Sequence, residues 1–164
     1  MTENTREGYV AEIRQLVGSR PILLPSVSVL VIDDAGRQLL GLHRDSGCWV
    51  PPGGSMEPGE TPAQAGARET LEETGLKIEP VRLIGVFGGP EFRTHYPNGD
   101  IVDHVNTVFE ARVVGGKLVP SDELTNLTWY TDAEIDRLDC PSWVAIVRHA
   151  AQGFQPLEAS EVSP

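Results

Sequence analysis

Apolar residues in this chain gather mainly in short runs of strand length, separated by turn residues. Residues 26–32, Ser-Val-Ser-Val-Leu-Val-Ile, predict a buried strand, and Asp33-Asp-Ala-Gly36 predicts a turn into a second strand over residues 38–43. Pro97-Asn-Gly-Asp100 indicates a hairpin. Gly115-Gly116 predicts a further turn. The other strands predicted are residues 76–87, 92–96, 101–114 and 127–130.

Helical spacing occurs in a few segments only. Near the N-terminus, Tyr9, Ile13, Leu16 and Val17 fall on one stripe, and Gly18 then ends the segment. The segment 61–74 carries signals at both ends: a capping threonine followed by proline at the start, and Gly75 after the last residue. Two short helices are expected near the C-terminus, at 131–138 and 141–151.

Composition and charge exclude several classes of protein. Asp and Glu number 24 against 13 Lys and Arg, a formal charge of −11 that repels phosphate backbones, so nucleic acid is not an expected partner. Cys48 and Cys140 are too few for a disulfide framework. The longest apolar run is far shorter than a membrane span, and the first residues lack the apolar core of a signal peptide. We expect a cytoplasmic protein without a membrane partner.

The predicted helix 61–74 carries Glu69, Glu72 and Glu73 within an arc of about 100°. Like charges on adjacent turns destabilise a helix by about 0.2–0.5 kcal/mol per pair, so this face is costly for folding alone. A solvated acidic face is the ordinary interpretation of such a pattern. The alternative is a site for a hard divalent cation such as Mg²⁺, which takes oxygen ligands and leaves positions for a phosphate. A glycine-rich turn and Glu60 just before the helix favour the cation site.

Residues 54–76, GSMEPGETPAQAGARETLEETGL, resemble the Nudix box G-x5-E-x7-R-E-U-x-E-E-x-G-U, where U is a bulky aliphatic residue. Thr70, in the first U position, is the one departure, and it affects packing rather than chemistry. The preceding Trp49-Val-Pro-Pro-Gly53 also resembles the usual lead-in of this family. Every fixed position of the motif is filled: Gly54, Glu60, Arg68, Glu69, Glu72, Glu73 and Gly75.

The resemblance implies an α/β (α+β) fold, an α/β/α sandwich around a mixed sheet. It places the Nudix domain at residues 21–151, between an N-terminal helical extension (1–20) and a C-terminal tail (152–164) expected to be flexible. The resemblance also implies that Mg²⁺, with Mn²⁺ as an alternative, is bound by the motif glutamates and the carbonyl of Gly54. Arg68 would orient the glutamates and Glu60 would support the loop–helix geometry. The metal-binding glutamates are Glu69, Glu72 and Glu73.

Hydrolysis also requires a base for the attacking water. In the family this base is a box glutamate or a carboxylate on a later loop, and Glu123 resembles that loop position. A plain surface turn is the alternative interpretation of Glu123. The histidines could also be proposed as bases, although each is more typical of a surface or packing residue. They are His43, His95, His104 and His149.

The resemblance implies cleavage of a pyrophosphate bond in a small nucleotide-like molecule. Aromatic side chains after the helix could stack a base, and Pro90 lies near a position where ADP-ribose pyrophosphatases carry proline. We expect a nucleoside diphosphate linked to another group, such as ADP-ribose or a dinucleotide, because the region after the helix has no run of cations for a triphosphate. The candidate substrate-binding residues are Phe87, Phe92, Arg93 and Tyr96.

Other functions are also compatible with this motif. A nucleoside triphosphate pyrophosphohydrolase would use the same metals. A non-catalytic nucleotide sensor would be expected to have lost a box glutamate, and this chain retains all of them. Isoprenoid diphosphate isomerases share the fold but need a reactive cysteine, for which Cys48 is a weak candidate, and the acidic balance argues against capped RNA. The N-terminal helix predicts packing on the domain or a homodimer contact.

Overall fold

A computed structural model describes residues 8–96 and 98–153. Helices and strands follow each other in an order close to the one predicted. A 3-10 turn spans Pro90–Phe92. In chain order the elements are α1 (Tyr9–Val17), β1 (Ile22–Ile32), β2 (Gln38–His43), β3 (Trp49–Val50), β4 (Gly53–Ser55), α2 (Pro62–Thr74), β5 (Leu76–Phe87), β6 (Arg93–His95), β7 (Ile101–Gly116), β8 (Leu124–Tyr130), α3 (Asp132–Ile135) and α4 (Ser142–Gly153).

The strands form one mixed sheet with β1 near its centre. β1 pairs in parallel with β7 along its whole length, from Ile22 opposite Val102 to Ile32 opposite Arg112. Its other edge is shared, because β4 pairs with its middle and β2 pairs with its end. The main path through the sheet is β3-β2-β1-β7-β5, with β8 on β2 and β6 on β7. The predicted mixed sheet is confirmed.

Alternation along β1 sends its side chains to two different layers. Val27, Val29 and Val31 pack toward α2 in a cluster that includes Ala65 of that helix. Leu30 points the other way and packs in a second cluster with Val147 of α4. Helices therefore cover both faces of the sheet, which is the sandwich that the Nudix resemblance implies.

Several boundaries differ from those predicted, and pairing explains the differences. β1 begins at Ile22 because its pairing with β7 continues past Pro25. β7 runs through Gly115-Gly116, predicted as a turn, because both glycines pair with the start of β5. β8 begins at Leu124, and Phe92 lies in the 3-10 turn rather than in a strand. α4 extends to Gly153, so residues 152–153 are helical, whereas the rest of the predicted tail, 154–164, lies outside the described residues.

Candidate active site

Both ends of α2 are fixed as the sequence predicts. The Thr61 hydroxyl accepts from the Gln64 backbone N–H at 3.3 Å, and the Gln64 side chain accepts from the Thr61 N–H at 2.9 Å, which makes a capping box. Gly75 adopts a left-handed conformation with φ of 71°, and its N–H donates to Leu71 O at 2.9 Å. A side chain at Gly75 would collide with the carbonyl of Lys117. The helix boundaries thus set the orientation of its three glutamates.

Two glycines of β4 lie against two of these glutamates. The Gly53 N–H donates to Glu73 Oε2 at 2.8 Å. A Cβ on Gly54 would lie 2.5 Å from Glu69 Oε1, so a larger residue at this position would require that carboxylate to move. Pairing of β4 with β1 holds this backbone in place, with Gly54 opposite Val27. Main-chain atoms of β4 and the carboxylates of α2 therefore meet at one point.

Arg68 connects the acidic groups around this point. Its Nε and Nη2 donate to the two oxygens of Glu60 at 2.7 and 3.0 Å, and Nη2 also donates to Ser55 O at 3.1 Å. Its Nη1 donates to Glu69 Oε1 at 2.9 Å and to Glu72 Oε2 at 3.3 Å. The bidentate contact with Glu60 fixes the guanidinium plane. Arg68 can therefore orient Glu69 and, more loosely, Glu72.

The carboxyl groups of the site have opposite electrostatic environments. Burial raises the pKa of Glu73 to about 8, and neighbouring carboxylates, first Glu69 and then Glu123, act in the same direction. Burial also raises the pKa of Glu69, although Arg68 opposes that effect. The hydrogen bond from Arg68 instead lowers the pKa of Glu60. Glu73 is thus a buried acid whose charged form lacks a cation, whereas Glu60 is already neutralised.

The loop after β7 brings Glu123 toward this cluster. Backbone N–H groups of Lys117, Val119 and Ser121 donate to the carbonyls of Gly75, Thr74 and Glu73 at 3.2, 2.8 and 3.2 Å. Those carbonyls end α2 and have no partner within the helix, so the loop satisfies them. Glu123 itself is exposed, and its charge reaches both Glu69 and Glu73.

A cavity of about 580 Å³ lies on the α4 side of the sheet, beside β4. Its size is within the usual range for small-molecule pockets. Gly53, Gly54 and Ser55 form the side nearest the glutamates. Trp143 at the start of α4 and residues 90–96 also line the cavity.

Three of the four predicted substrate-binding side chains line this cavity: Phe92, Arg93 and Tyr96. Phe92 is buried and lies between Phe87 and Trp143, with ring centroids 5.9 and 6.2 Å away. Arg93 donates to both carboxylate oxygens of Asp103 at 2.7 and 2.9 Å, so its charge is already paired. Phe87 supports Phe92 from within the core cluster next to α4.

Comparison with known proteins decides the family. A family profile described as the NUDIX domain matches residues 23–148, most of the chain. The chain belongs to the Nudix family. It is therefore a hydrolase that acts on pyrophosphate bonds.

Similar proteins agree with this assignment. The Nudix hydrolase is 34% identical over 138 residues to a MutT-like protein of Streptomyces ambofaciens, covering 84% of this chain and 83% of the relative. It is 35% identical over 114 residues to an ADP-ribose pyrophosphatase of Methanocaldococcus jannaschii, covering 67% of this chain and 64% of the relative. A crystal structure of a UDP-X diphosphatase matches its fold with a TM-score of 0.63 and 24% identity, covering 89% of this chain and 71% of the other.

Nudix hydrolases generally need a divalent metal, usually Mg²⁺. Within residues 8–96 and 98–153, no three acidic, histidine or cysteine side chains stand together as a finished metal site. Arg68 Nη1 binds both Glu69 and Glu72, so one guanidinium occupies carboxylate oxygens that a cation would use. The donor set nevertheless fits a hard cation, because Glu73 is a buried carboxylate that accepts from the Gly53 N–H, and oxygen ligands are those Mg²⁺ prefers.

Part of the cavity wall consists of polar residues that the sequence pattern did not identify as site residues. Ser26 and Ser28 of β1 and Asn106 of β7 are buried polar residues that line the cavity, together with His104. The alternation Ser-Val-Ser-Val at the start of the run 26–32 carried the signal, because it puts both serines on the face opposite the valines. Asn106 could not be placed beside them without knowledge of the β1–β7 register.

Along the part of the chain that is described, no helix has the length and apolar character to cross a membrane.

Proposed function

We propose that this Nudix hydrolase uses Mg²⁺ to cleave a nucleoside diphosphate linked to another group, releasing a nucleoside monophosphate. The observation that carries the proposal is the position of the cavity. It adjoins Gly53 and Gly54, which contact the glutamates of α2 from the other side. A diphosphate at β4 would thus have its nucleoside in the cavity and its phosphate oxygens next to the acidic face.

Glu69, Glu72 and Glu73 would hold the cation, together with the carbonyl of Gly54. When bound, the cation supplies neutralisation of the diphosphate charge and activation of a water nucleophile. Arg68 holds Glu69 in position through its fixed contact with Glu60. Burial raises the pKa of Glu73, so a cation would displace the proton of this carboxyl and supply the charge that its ionised form otherwise lacks.

Glu123 would take the proton from the attacking water or add a ligand to the cation. The loop that carries it is fastened to the last turn of α2, close enough for its charge to raise the pKa of Glu69 and of Glu73. Its exposure leaves the carboxylate accessible to solvent and substrate.

The diphosphate-linked class is favoured over a triphosphate by the charges of the cavity. Arg93 is the one Lys or Arg among the lining residues described, and Asp103 already binds it. A triphosphate tail that extended from β4 into the cavity would therefore meet no unpaired Lys or Arg among these residues. The similarity to an ADP-ribose pyrophosphatase supports the same class, although this chain spans only 64% of that relative.

A substrate panel with Mg²⁺ tests the proposal. ADP-ribose, dinucleotides, nucleotide sugars and nucleoside triphosphates are incubated separately, and the products are separated by chromatography. We expect nucleoside monophosphate from the diphosphate-linked compounds, and hydrolysis in ¹⁸O-water identifies the phosphorus that is attacked. Consumption of triphosphates alone, with release of pyrophosphate, would replace this proposal with a triphosphate pyrophosphohydrolase.

A further inference from the structure

A small buried polar cluster lies on the cavity wall where the surrounding sheet is apolar. Ser26 and Ser28 are each 6% exposed, and Asn106 is 5% exposed. On the same face of the sheet, Leu30 and Val108 belong to the core cluster next to α4. Burying an amide without full hydrogen bonding costs about 1–3 kcal/mol, so apolar residues here would favour folding.

Both serines lie within hydrogen-bonding distance of the Asn106 amide. Ser26 Oγ and Ser28 Oγ each donate to Asn106 Oδ1 at 3.4 Å. Asn106 Nδ2 donates to Ser28 Oγ at 3.1 Å. The parallel register that puts Ser26 opposite Asn106 enforces these contacts.

One hydrogen of the Asn106 side-chain amide has no acceptor among the described residues. An amide nitrogen has two hydrogens, and the described residues provide one acceptor for Asn106 Nδ2. The second hydrogen is available to a molecule in the cavity, which Asn106 lines. His104, two residues earlier on the same face of β7, lines the same wall, and burial lowers its pKa, so its neutral ring offers one donor and one acceptor.

This wall is therefore neutral and offers hydrogen bonds, which suits a planar heterocycle better than a phosphate. Flat side chains also line the cavity, among them Trp143 and Tyr96. Aromatic rings are favourable partners for stacked bases.

We propose that Asn106, positioned by Ser26 and Ser28, determines base specificity by donating from Nδ2 to an acceptor on the edge of the substrate's nucleobase. The inference rests on the proposed function, since it assumes that the nucleoside occupies the cavity. A site built around a hydrogen bond rejects substrates that lack the partner more strongly than an apolar pocket can. Asn106 would not contact the group that is linked to the other end of the diphosphate.

Substitution Asn106→Ala tests this assignment through a ratio of rates. We measure kcat/KM for diphosphate-linked nucleotides that differ only in the base, and for ribose 5-diphosphate as a base-free compound with the diphosphate on the same carbon. We expect the preferred base to lose about ten- to a hundredfold in kcat/KM, the differences among bases to shrink, and the base-free rate to stay within twofold. Ser26→Ala, which removes one contact to the amide, should show the same trend with a smaller amplitude.

Thr107→Ala is the matched control, because Thr107 is the next residue on β7 and faces the other side of the sheet. It should leave the ratio among bases unchanged. An equal loss on all substrates in Asn106→Ala would mean a structural role and would overturn the proposal. A wild-type enzyme that cleaves no diphosphate-linked nucleotide would instead refute the proposed function, so the two failures are distinguishable.

A measurement on the wild-type protein covers the case in which Asn106→Ala does not fold. The side-chain amide resonances of ¹⁵N-labelled protein are followed during titration with a nucleoside monophosphate and, separately, with ribose 5-phosphate. We expect the Asn106 amide signal to shift with the nucleotide only. A shift of equal size with both compounds, or none with either at saturation, would contradict base recognition by this residue.

Discussion

Glu72 and Glu73 are adjacent in sequence but occupy different environments. The Glu73 residue is 7% exposed and accepts from Gly53, whereas the Glu72 side chain is 60% exposed and shares Arg68 with Glu69. Glu72 can turn away from Arg68 at little cost, because an exposed ion pair contributes less than about 1 kcal/mol. A cation would therefore recruit a mobile ligand, Glu72, to a fixed one, Glu73.

Replacing either glutamate should reduce turnover more than it affects folding. We expect Glu73→Gln and Glu72→Gln each to lower kcat by two to three decades, about 3–4 kcal/mol in activation free energy. Glu79→Gln is the control, since Glu79 is an exposed glutamate paired with Arg112 on β7. The readouts are steady-state rates in saturating Mg²⁺ and circular dichroism. Near wild-type rates for both site variants would refute the metal-binding role.

The raised pKa of Glu73 also predicts how stability depends on pH when no metal is present. The folded protein holds this proton up to about pH 8, whereas the unfolded chain releases it near the ordinary value of 4.5. Its stabilising contribution is therefore full below about pH 4.5 and is lost as the pH rises to about 8. We expect chelator-treated protein to lose a few kcal/mol of unfolding free energy over that range relative to Glu73→Gln. Parallel denaturant titrations of both proteins that show no difference in slope with pH would contradict the expectation.

At the scale of one element, α2 contains the single departure from the Nudix motif. Thr70 is fully buried, and its hydroxyl has no hydrogen-bond partner among the described residues. A buried hydroxyl without a partner destabilises the fold by about 1–3 kcal/mol. The sequence predicts that this departure affects packing rather than chemistry. Thr70 lies in the interior, where its side chain contributes to packing.

Thr70→Val should stabilise the protein, because it keeps the branched shape and removes the hydroxyl. We expect an increase of about 1 kcal/mol, which is about 2–4 °C in Tm for a domain of this size. Thr128→Val on β8 serves as the comparison, since that hydroxyl is exposed and bonded to Asn126 O. Differential scanning calorimetry and kcat are measured for both. A lower Tm for Thr70→Val would show that the hydroxyl is satisfied in solution.

The position of the loop that carries Glu123 could not be predicted from local sequence patterns. Capping residues at Thr61 and Gly75 predict the ends of α2 because their effects are local. The approach of Glu123 depends instead on three backbone hydrogen bonds to the last carbonyls of α2, formed more than 40 residues along the chain. Such contacts follow from the pairing of β5 with β7, which no local pattern contains. The presence of three glutamates on α2 could thus be predicted from the sequence, but the burial of Glu73 and the approach of Glu123 could not.

Comparing the pH–rate profiles of wild type and Glu123→Gln tests the role of that loop. If Glu123 takes the proton from water, its removal should lower kcat by two decades or more and change the acidic limb of the profile. Asp122→Asn, one residue earlier on the same exposed loop, is the control. An unaltered rate and an unaltered acidic limb for Glu123→Gln would assign this residue to the surface.

At the scale of the whole molecule, α1 is attached by polar contacts rather than by a core. Arg14 donates to the carbonyls of Arg20 and Ile101 at 2.7 and 2.9 Å, and the Tyr9 N–H donates to Glu57 at 3.3 Å. The apolar stripe predicted for this helix is only partly covered: Leu16 is 83% exposed and Val17 37% exposed. Packing on the domain thus accounts for one end of the stripe.

The uncovered end of the stripe predicts association of two copies. We expect a concentration-dependent dimer in light scattering, and we expect Leu16→Glu to shift it to monomer, because a charge cannot be buried there without a partner. Ala133→Glu adds the same charge on exposed α3 as a control. A monodisperse monomer for both wild type and Leu16→Glu would exclude a dimer role for the helix.

The parallel pair of β1 and β7 also affects how the chain acquires its structure. Partners such as Ser26 and Asn106 are 80 residues apart, so pairing requires closure of a long loop before the sheet is complete. Contacts of high sequence separation slow folding and leave strands unpaired meanwhile. During synthesis, the apolar strand β1 cannot pair fully with β7 until residue 112 has emerged from the ribosome. Since β4 pairs with β1, the proposed metal ligands and the proposed base site can reach their final positions only late in folding.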